Sequence, residues 1–536
     1  MQRNREAYLA GPPISNRRPM TVGALLVDAA KKSPDHKALV TASDDGYKVR
    51  EASFAGLLAA SEQCARRLLE LFQPGDRIAL WSGNNYEWIV LQFGAAMAGL
   101  ILVPMNPAFK KEEARHVLTQ SKSRACFVSD EFRGAQLAEI VKELEPEIDT
   151  LATVVNISQW DDFIGEGEYT GALPDVDPKD PVMIQYTSGT TGLPKGALLV
   201  HERLVFDAAQ VAERSGVRTN SVWLAPLPLF HAGGCVVSVL GAVSKSATVI
   251  LMPKWSPDAA VNLIESERVE VMNPVPAMLM DILASHDLDE RDLSSWTCAI
   301  AGASTVPAHL VQEMQEKLGI EVYIIFGQTE CGPVATMTHP SDTPEDKENT
   351  VGTPLAGFEI KIVDPESGKT LSRGEIGEFV ARGNTMLEYF DNDEANRSAF
   401  DDEGWLHTGD LCSIDTRGYV YVEGRIRDMI IRGGENIYPR EIEEFMGSLA
   451  SVKEVAIVGL PHDRMGEMVG AFVVPVSRKV FTRDDVVEAV RSHFAYYKVP
   501  EVWVLLDELP RTATGKIQKF VLRENWVSGQ YDAISV

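Results

Sequence analysis

The sequence predicts an α/β protein: a large N-terminal domain, residues 1–424, and a small α+β C-terminal lid domain, residues 425–536. The large domain is expected to hold two doubly wound α/β sub-domains and a β-rich sub-domain. Three observations predict this. Short β-branched runs alternate with helix-length amphipathic segments, the pattern of parallel strands joined by crossover helices. From about residue 350 to 424 the chain becomes rich in Gly, Thr and turn signals such as ESGKT and DTRGY. After Gly424–Asp428 (GRIRD) a short α/β alternation begins afresh, and 536 residues exceed the ~250–300 at which a single core stops growing.

The elements follow in order. Arg77–Trp81 (RIALW) reads as a strand, Glu87–Ala98 as a helix, Leu100–Pro104 as a strand, Lys110–Ser121 as a helix and Ala125–Ser129 as a strand. The apolar stretch Trp88–Met105 contains Gln92, Gly94, Gly99 and Pro104, so it is expected to be a buried helix, a glycine turn and a strand rather than a membrane span. The alternation recurs with a helix near 202–214, a strand near 221–225, a helix near 234–243 and a strand near 247–252. In the tail, Pro439 opens a helix at its first turn and Val455–Val458 is a strand.

The chain carries 51 basic and 77 acidic residues, a net charge of −26, which opposes nucleic-acid or anionic-membrane binding. A polyanionic small molecule would need a local nest of cations and backbone N–H groups. Cys64, Cys126, Cys235, Cys298, Cys331 and Cys412 are scattered and lack zinc-site spacing, which fits a reducing cytoplasm. No secretory or peroxisomal signal is expected at the termini.

The densest chemical signal is Tyr186–Gly196, YTSGTTGLPKG, which follows a strand at Val182–Gln185. Its glycines let backbone N–H groups turn toward an anion. Thr187, Ser188, Thr190 and Thr191 add hydroxyl donors, and Lys195 adds charge: a loop for phosphate oxygens. The spacing is not that of a Walker A loop, which argues against a P-loop kinase.

This loop resembles the signature of the adenylate-forming superfamily, the group of acyl-CoA synthetases, peptide-synthetase adenylation domains and firefly luciferase. Further motifs match in order along about 90% of the chain. The resemblance implies a luciferase-like fold and assigns roles. Thr187, Ser188, Gly189, Thr190, Thr191 and Lys195 would hold ATP, with Thr190 also near Mg²⁺. In LPLFHAG, His231, Ala232 and Gly233 would wall the acyl pocket together with Phe206. In AGAS, Gly302, Ala303 and Ser304 would lie along adenine. In YIIFGQTE, Phe326 (where the family usually has tyrosine) and Gly327 would flank the base, Thr329 would bond phosphate and Glu330 would ligate Mg²⁺. In WLHTGD, Asp410 would take the ribose hydroxyls. Arg425 would contact ribose or phosphate, and Arg427 stands at the hinge, where lysine or aspartate is usual. Gly433, Gly434, Arg432 and Lys498 would meet coenzyme A, as would Arg440 and Lys519. In PRTATGKIQK, Lys516 would be the catalytic lysine.

The implied reaction uses a carboxylic acid, ATP, Mg²⁺ and coenzyme A. Carboxylate attack on the α-phosphorus gives acyl-AMP and pyrophosphate, and a thiol then takes the acyl group. Lys516, Thr329, His231 and Glu330 are the expected catalytic set. Rival acceptors are an amine or a carrier-protein thiol, and a rival class is a non-catalytic adenylate binder. A homodimer is a family-level expectation.

Overall fold

The structure is a computed structural model describing residues 5–14, 18–165, 169–187, 194–286, 288–302, 306–433, 435–462, 464–478, 481–512 and 516–531. The chain divides into two compact units. One comprises Leu9–Ile360 and Ala381–Leu406; the other comprises Met1–Tyr8, Lys361–Val380 and His407–Val536.

The larger unit is built on two mixed sheets. The first runs Glu388–Tyr389, Lys195–Val200, Pro181–Thr187, Ile101–Met105, Arg77–Trp81, Ala125–Val128, Thr153–Asn156. Its centre is parallel, with Arg77–Trp81 between Ile101–Met105 and Ala125–Val128. These strands are nearly continuous apolar runs because crossover helices cover both faces. The expected helix, glycine turn and strand between Trp88 and Met105 are present as Tyr86–Met97, Gly99 at φ 69° and Ile101–Met105. Among the described residues no helix is long and apolar enough to cross a membrane.

The second sheet has nine strands, in the order Thr353–Pro354, Thr336–Met337, Glu321–Phe326, Cys298–Ala301, Val271–Met272, Val222–Ala225, Thr248–Leu251, Lys37–Ala42, Lys48–Ser53. Its five central pairings are parallel. The segment expected as a helix near 234–243 is π-helical over Gly233–Leu240 and α-helical over Gly241–Ser244. In both sheets the carboxyl ends of strands carry expected site residues: Thr187 closes one strand, Phe326 another, and Gly302 follows a third. Ligands of open α/β sheets gather at such ends.

In the smaller unit, Leu406–Ile414 pairs antiparallel with Val420–Arg425, and Asp410 lies opposite Arg425. The tail forms a sheet around a long hairpin, Val452–His462 with Gly466–Pro475, to which Val502–Leu505 adds a parallel strand. The expected strand at 455–458 is thus the middle of an eleven-residue one. Pro439 occupies the first turn of helix Pro439–Gly447, as expected.

Candidate active site

In the larger unit the site grows from the strand ends. Thr187 Oγ1 donates to Glu330 Oε1 at 2.9 Å. Glu330 stands on the short turn Thr329–Cys331, and Thr329, Glu330 and Cys331 are all buried. The chain enters this turn through Gly327, where a Cβ would lie 2.4 Å from the Pro333 carbonyl oxygen, so only glycine fits. Tyr389 Oη donates to the same Glu330 oxygen at 2.8 Å. The Lys195 ammonium lies 5.3 Å from the Tyr389 ring centroid, a cation–π distance. Burial, and then the charge of Glu330, pushes the Tyr389 phenol up, so it stays a hydrogen donor at neutral pH.

Glu330 exposes only 5% of its surface, and among the described residues no lysine or arginine pairs with it. Burying a carboxylate without a cation is costly. The donor set therefore fits a hard divalent ion. Magnesium in particular binds through one or two carboxylates plus substrate phosphates, not through a protein cage. No cluster of three or more metal-ligating side chains occurs among the described residues.

The loop bearing His231 is held by side-chain amides from distant elements. Asn84 donates to the carbonyls of Leu227 (3.0 Å) and Met252 (2.9 Å) and accepts from Leu229 N–H (2.8 Å). Gln185 donates to Phe230 O at 3.1 Å, Gln92 to Cys235 O at 3.1 Å and Asn273 to Gly233 O at 2.9 Å. His231 Nδ1 accepts from Gly233 N–H at 3.1 Å, so a neutral ring carries its proton on Nε2. A Cβ on Gly233 would lie 2.9 Å from Leu227 Cδ1, and one on Gly302 2.7 Å from Ile325 O. Ala232 is buried, and Phe206 lies against Gly357.

In the smaller unit, Arg425 Nε pairs with Asp410 Oδ1 at 2.8 Å, and Asp410 is buried. Glu378 braces the start of the strand Leu406–Ile414: it accepts Gly409 N–H at 3.0 Å and contacts His407 Nδ1 at 2.7 Å. Gly409 adopts φ 71°, which favours glycine. Arg427 pairs loosely with Asp428, at 3.6 Å. Lys516 is exposed as a residue, and the charges of Arg425, Arg427, Asp410 and Asp428 act on its ammonium. Burial, then the charges of Arg425 and Arg427, pulls its pKa down to about 8, against the opposing pull of Asp410 and Asp428. Among the basic residues expected to meet coenzyme A, Arg432 pairs with Glu501, Lys498 with Glu441, Arg440 with Glu444 and Lys519 with Glu443. Gly433, at φ 59°, donates to Met465 O at 2.8 Å.

Ser188, Gly189, Thr190, Thr191, Ala303, Ser304 and Gly434 lie outside the described residues. Sequence reasoning missed Tyr389, Asn84, Asn273, Gln185 and Glu378. None stands in a chemical motif; each acts through a contact made far along the chain.

The AMP-binding enzyme family model matches residues 26–390, and the AMP-binding enzyme C-terminal domain matches 441–516. The chain belongs to the AMP-binding enzyme family. It is 34% identical over 559 residues to a mitochondrial medium-chain acyl-CoA ligase of Danio rerio, covering 97% of this chain and 90% of that one. ATP-bound MatB from Rhodopseudomonas palustris superimposes with a TM-score of 0.86 at 29% identity, covering 95% of this chain and 99% of the other. O-succinylbenzoate CoA synthetase (MenE) from Bacillus subtilis, in complex with the acyl-adenylate intermediate OSB-AMP, gives 0.81 at 28% identity, covering 93% and 97%. The fold is accordingly that of the adenylate-forming enzymes, with a large N-terminal and a small C-terminal domain.

Proposed function

We propose that this enzyme is an acid–thiol ligase that converts a carboxylic acid and ATP to acyl-AMP and pyrophosphate, then transfers the acyl group to coenzyme A. The observation that carries this reading is the buried Glu330 carboxylate held by Thr187 and Tyr389, in a chain that matches a CoA ligase over 97% of its length.

A free carboxylate is a poor acyl donor because its leaving group would be oxide. Adenylation replaces that group with AMP. Negative charge builds on the α-phosphate and the attacking carboxylate, and Lys516 offsets it as a preorganised cation. Thr329 and the phosphate loop, Thr187 through Thr191 with Lys195, hold the phosphates in line. Glu330 would hold Mg²⁺, with Thr190 the second expected ligand, and the ion would supply charge neutralisation of the phosphates. Asp410 and Arg425 take the ribose, Phe326, Gly327 and Gly302–Ser304 the adenine. His231, Ala232, Gly233 and Phe206 wall the acid.

The thiol must reach the same carbonyl that Lys516 serves. We therefore assign residues 425–536 as a lid that turns about Arg427, withdrawing Lys516 and bringing Gly433 and Gly434 to the thiol. Arg432 and Lys498 then meet the coenzyme A phosphates, which requires exchanging Glu501 and Glu441 for phosphate. A homodimer in the cytoplasm completes the assignment; the six cysteines are buried, as a reducing compartment allows.

The test is pyrophosphate release across a panel of carboxylic acids, with product mass read with and without coenzyme A. A thioester appears only with coenzyme A present; an amide with added amines would replace this reading. Lys516→Ala should abolish acyl-AMP formation yet leave thioester formation from supplied acyl-AMP largely intact. Equal loss of both halves would remove the lysine from its role.

A further inference from the structure

We propose that Tyr389 is a positioning residue for the Glu330 carboxylate, fixing with Thr187 the orientation in which Glu330 takes the magnesium of Mg·ATP. The inference rests on the reading of Glu330 as the magnesium ligand.

The geometry at the carboxylate comes first. Tyr389 Oη and Thr187 Oγ1 donate to one oxygen, Oε1, at 2.8 and 2.9 Å. Among the described residues no donor reaches Oε2. Two donors on one oxygen lock the rotation of the carboxylate and leave the second oxygen for another partner. A hard cation is the partner that a buried anion of this kind calls for.

The tyrosine is itself held. Its backbone N–H donates to Asn396 Oδ1 at 2.6 Å, and its carbonyl accepts from Asn396 Nδ2 at 2.9 Å. Its strand pairs with Lys195–Val200, with Tyr389 opposite Ala197. The Lys195 ammonium stands over its ring. A phenol fixed at backbone and ring offers its hydroxyl with little rotamer freedom left to lose.

Its origin in the chain is the third point. Glu330 follows a strand of the nine-stranded sheet, whereas Thr187 and Tyr389 come from two strands of the seven-stranded one. The carboxylate after one sheet is thus buttressed by two strands of the other. Partners that orient a metal ligand in this way typically control metal affinity by about 10–100-fold. If Tyr389 served packing alone, its hydroxyl would be dispensable, since phenylalanine keeps both the ring and its contact with Lys195.

The experiment uses the full chain and calorimetric binding of ATP at varied free Mg²⁺, beside AMP binding without metal. Tyr389→Phe should raise the Mg²⁺ needed for half-maximal ATP binding about tenfold and leave AMP affinity unchanged. Glu330→Gln should abolish the Mg²⁺ dependence. Thermal melting checks that Tyr389→Phe and Glu330→Gln keep the fold, so that neither result reports a folding defect. An unchanged Mg²⁺ requirement in Tyr389→Phe, or equal loss of ATP and AMP binding, overturns the positioning role while Glu330→Gln still reports the metal. A Glu330→Gln enzyme that keeps its Mg²⁺ dependence overturns the reading of Glu330 itself.

Discussion

Raising the pH should switch off the first half-reaction before the second, because Lys516 titrates early. Burial, Arg425 and Arg427 bring its pKa to about 8, from the ordinary 10.5. The ammonium is the active form, since it faces growing negative charge on phosphate and carboxylate. Its population therefore falls as pH rises through the folded value. At pH 9 a lysine titrating at about 8 keeps roughly one tenth of its charge, whereas one at 10.5 keeps nearly all of it. The kcat/KM for ATP, which reports the free enzyme, should thus fall about fifteenfold between pH 8 and 9.5 when pyrophosphate release is followed. Thioester formation from supplied acyl-AMP should lack this decline. Lys516→Arg, whose guanidinium stays charged throughout, should flatten the limb at whatever residual rate it retains. A limb near 10.5, or the same limb in Lys516→Arg, would refute the argument.

Three further outcomes follow from the geometry. Asn84→Ala removes three hydrogen bonds to the loop 227–229 and to Met252, so unfolding in urea should show a loss of about 3 kcal/mol, with a raised KM for the acid. Gly302→Ala places a methyl 2.7 Å from the Ile325 carbonyl oxygen, which cannot yield without moving a strand end; AMP affinity should fall and stability drop by about 1–3 kcal/mol. His201 is buried, accepts Val22 N–H at Nδ1, and has its pKa lowered by burial to about 4, from 6.5. The unfolded chain takes up this proton first as pH falls, so stability should decline between pH 6.5 and about 4, by about 3 kcal/mol in total, and stay level above that window. Denaturant melts of His201→Gln should lack that slope.

Much of the fold was legible because buried parallel strands announce themselves. Arg77–Trp81 and Ala125–Val128 read as unbroken apolar runs, and the glycine at 99 marks the turn between helix and strand. Apolar periodicity located the segment after His231 but could not separate a π-helix from an α-helix, because both bury one side of a short run. Of the site, the legible part was the set of residues whose type states their chemistry: Lys195, Glu330, Asp410 and Lys516. Their supports were not. Tyr389 meets Glu330 across 59 residues, and Gln92 meets Cys235 across 143, so no local spacing records either contact. Glu378 lies in a strand where a carboxylate looks like ordinary surface charge, and only the pairing of that strand with Leu406–Ile414, which carries His407 and Gly409, gives it a task. The paired states of Arg432 and Lys498 were equally hidden, since a lone basic residue carries no mark of its partner.

The account stands on where the carboxylate oxygen goes. An acid carrying heavy oxygen in its carboxylate, incubated with ATP, Mg²⁺, coenzyme A and the enzyme, should yield thioester together with AMP that bears one labelled oxygen, and unlabelled pyrophosphate. Label recovered in orthophosphate beside ADP, or thioester formed with no label in AMP, would contradict activation through an acyl-adenylate.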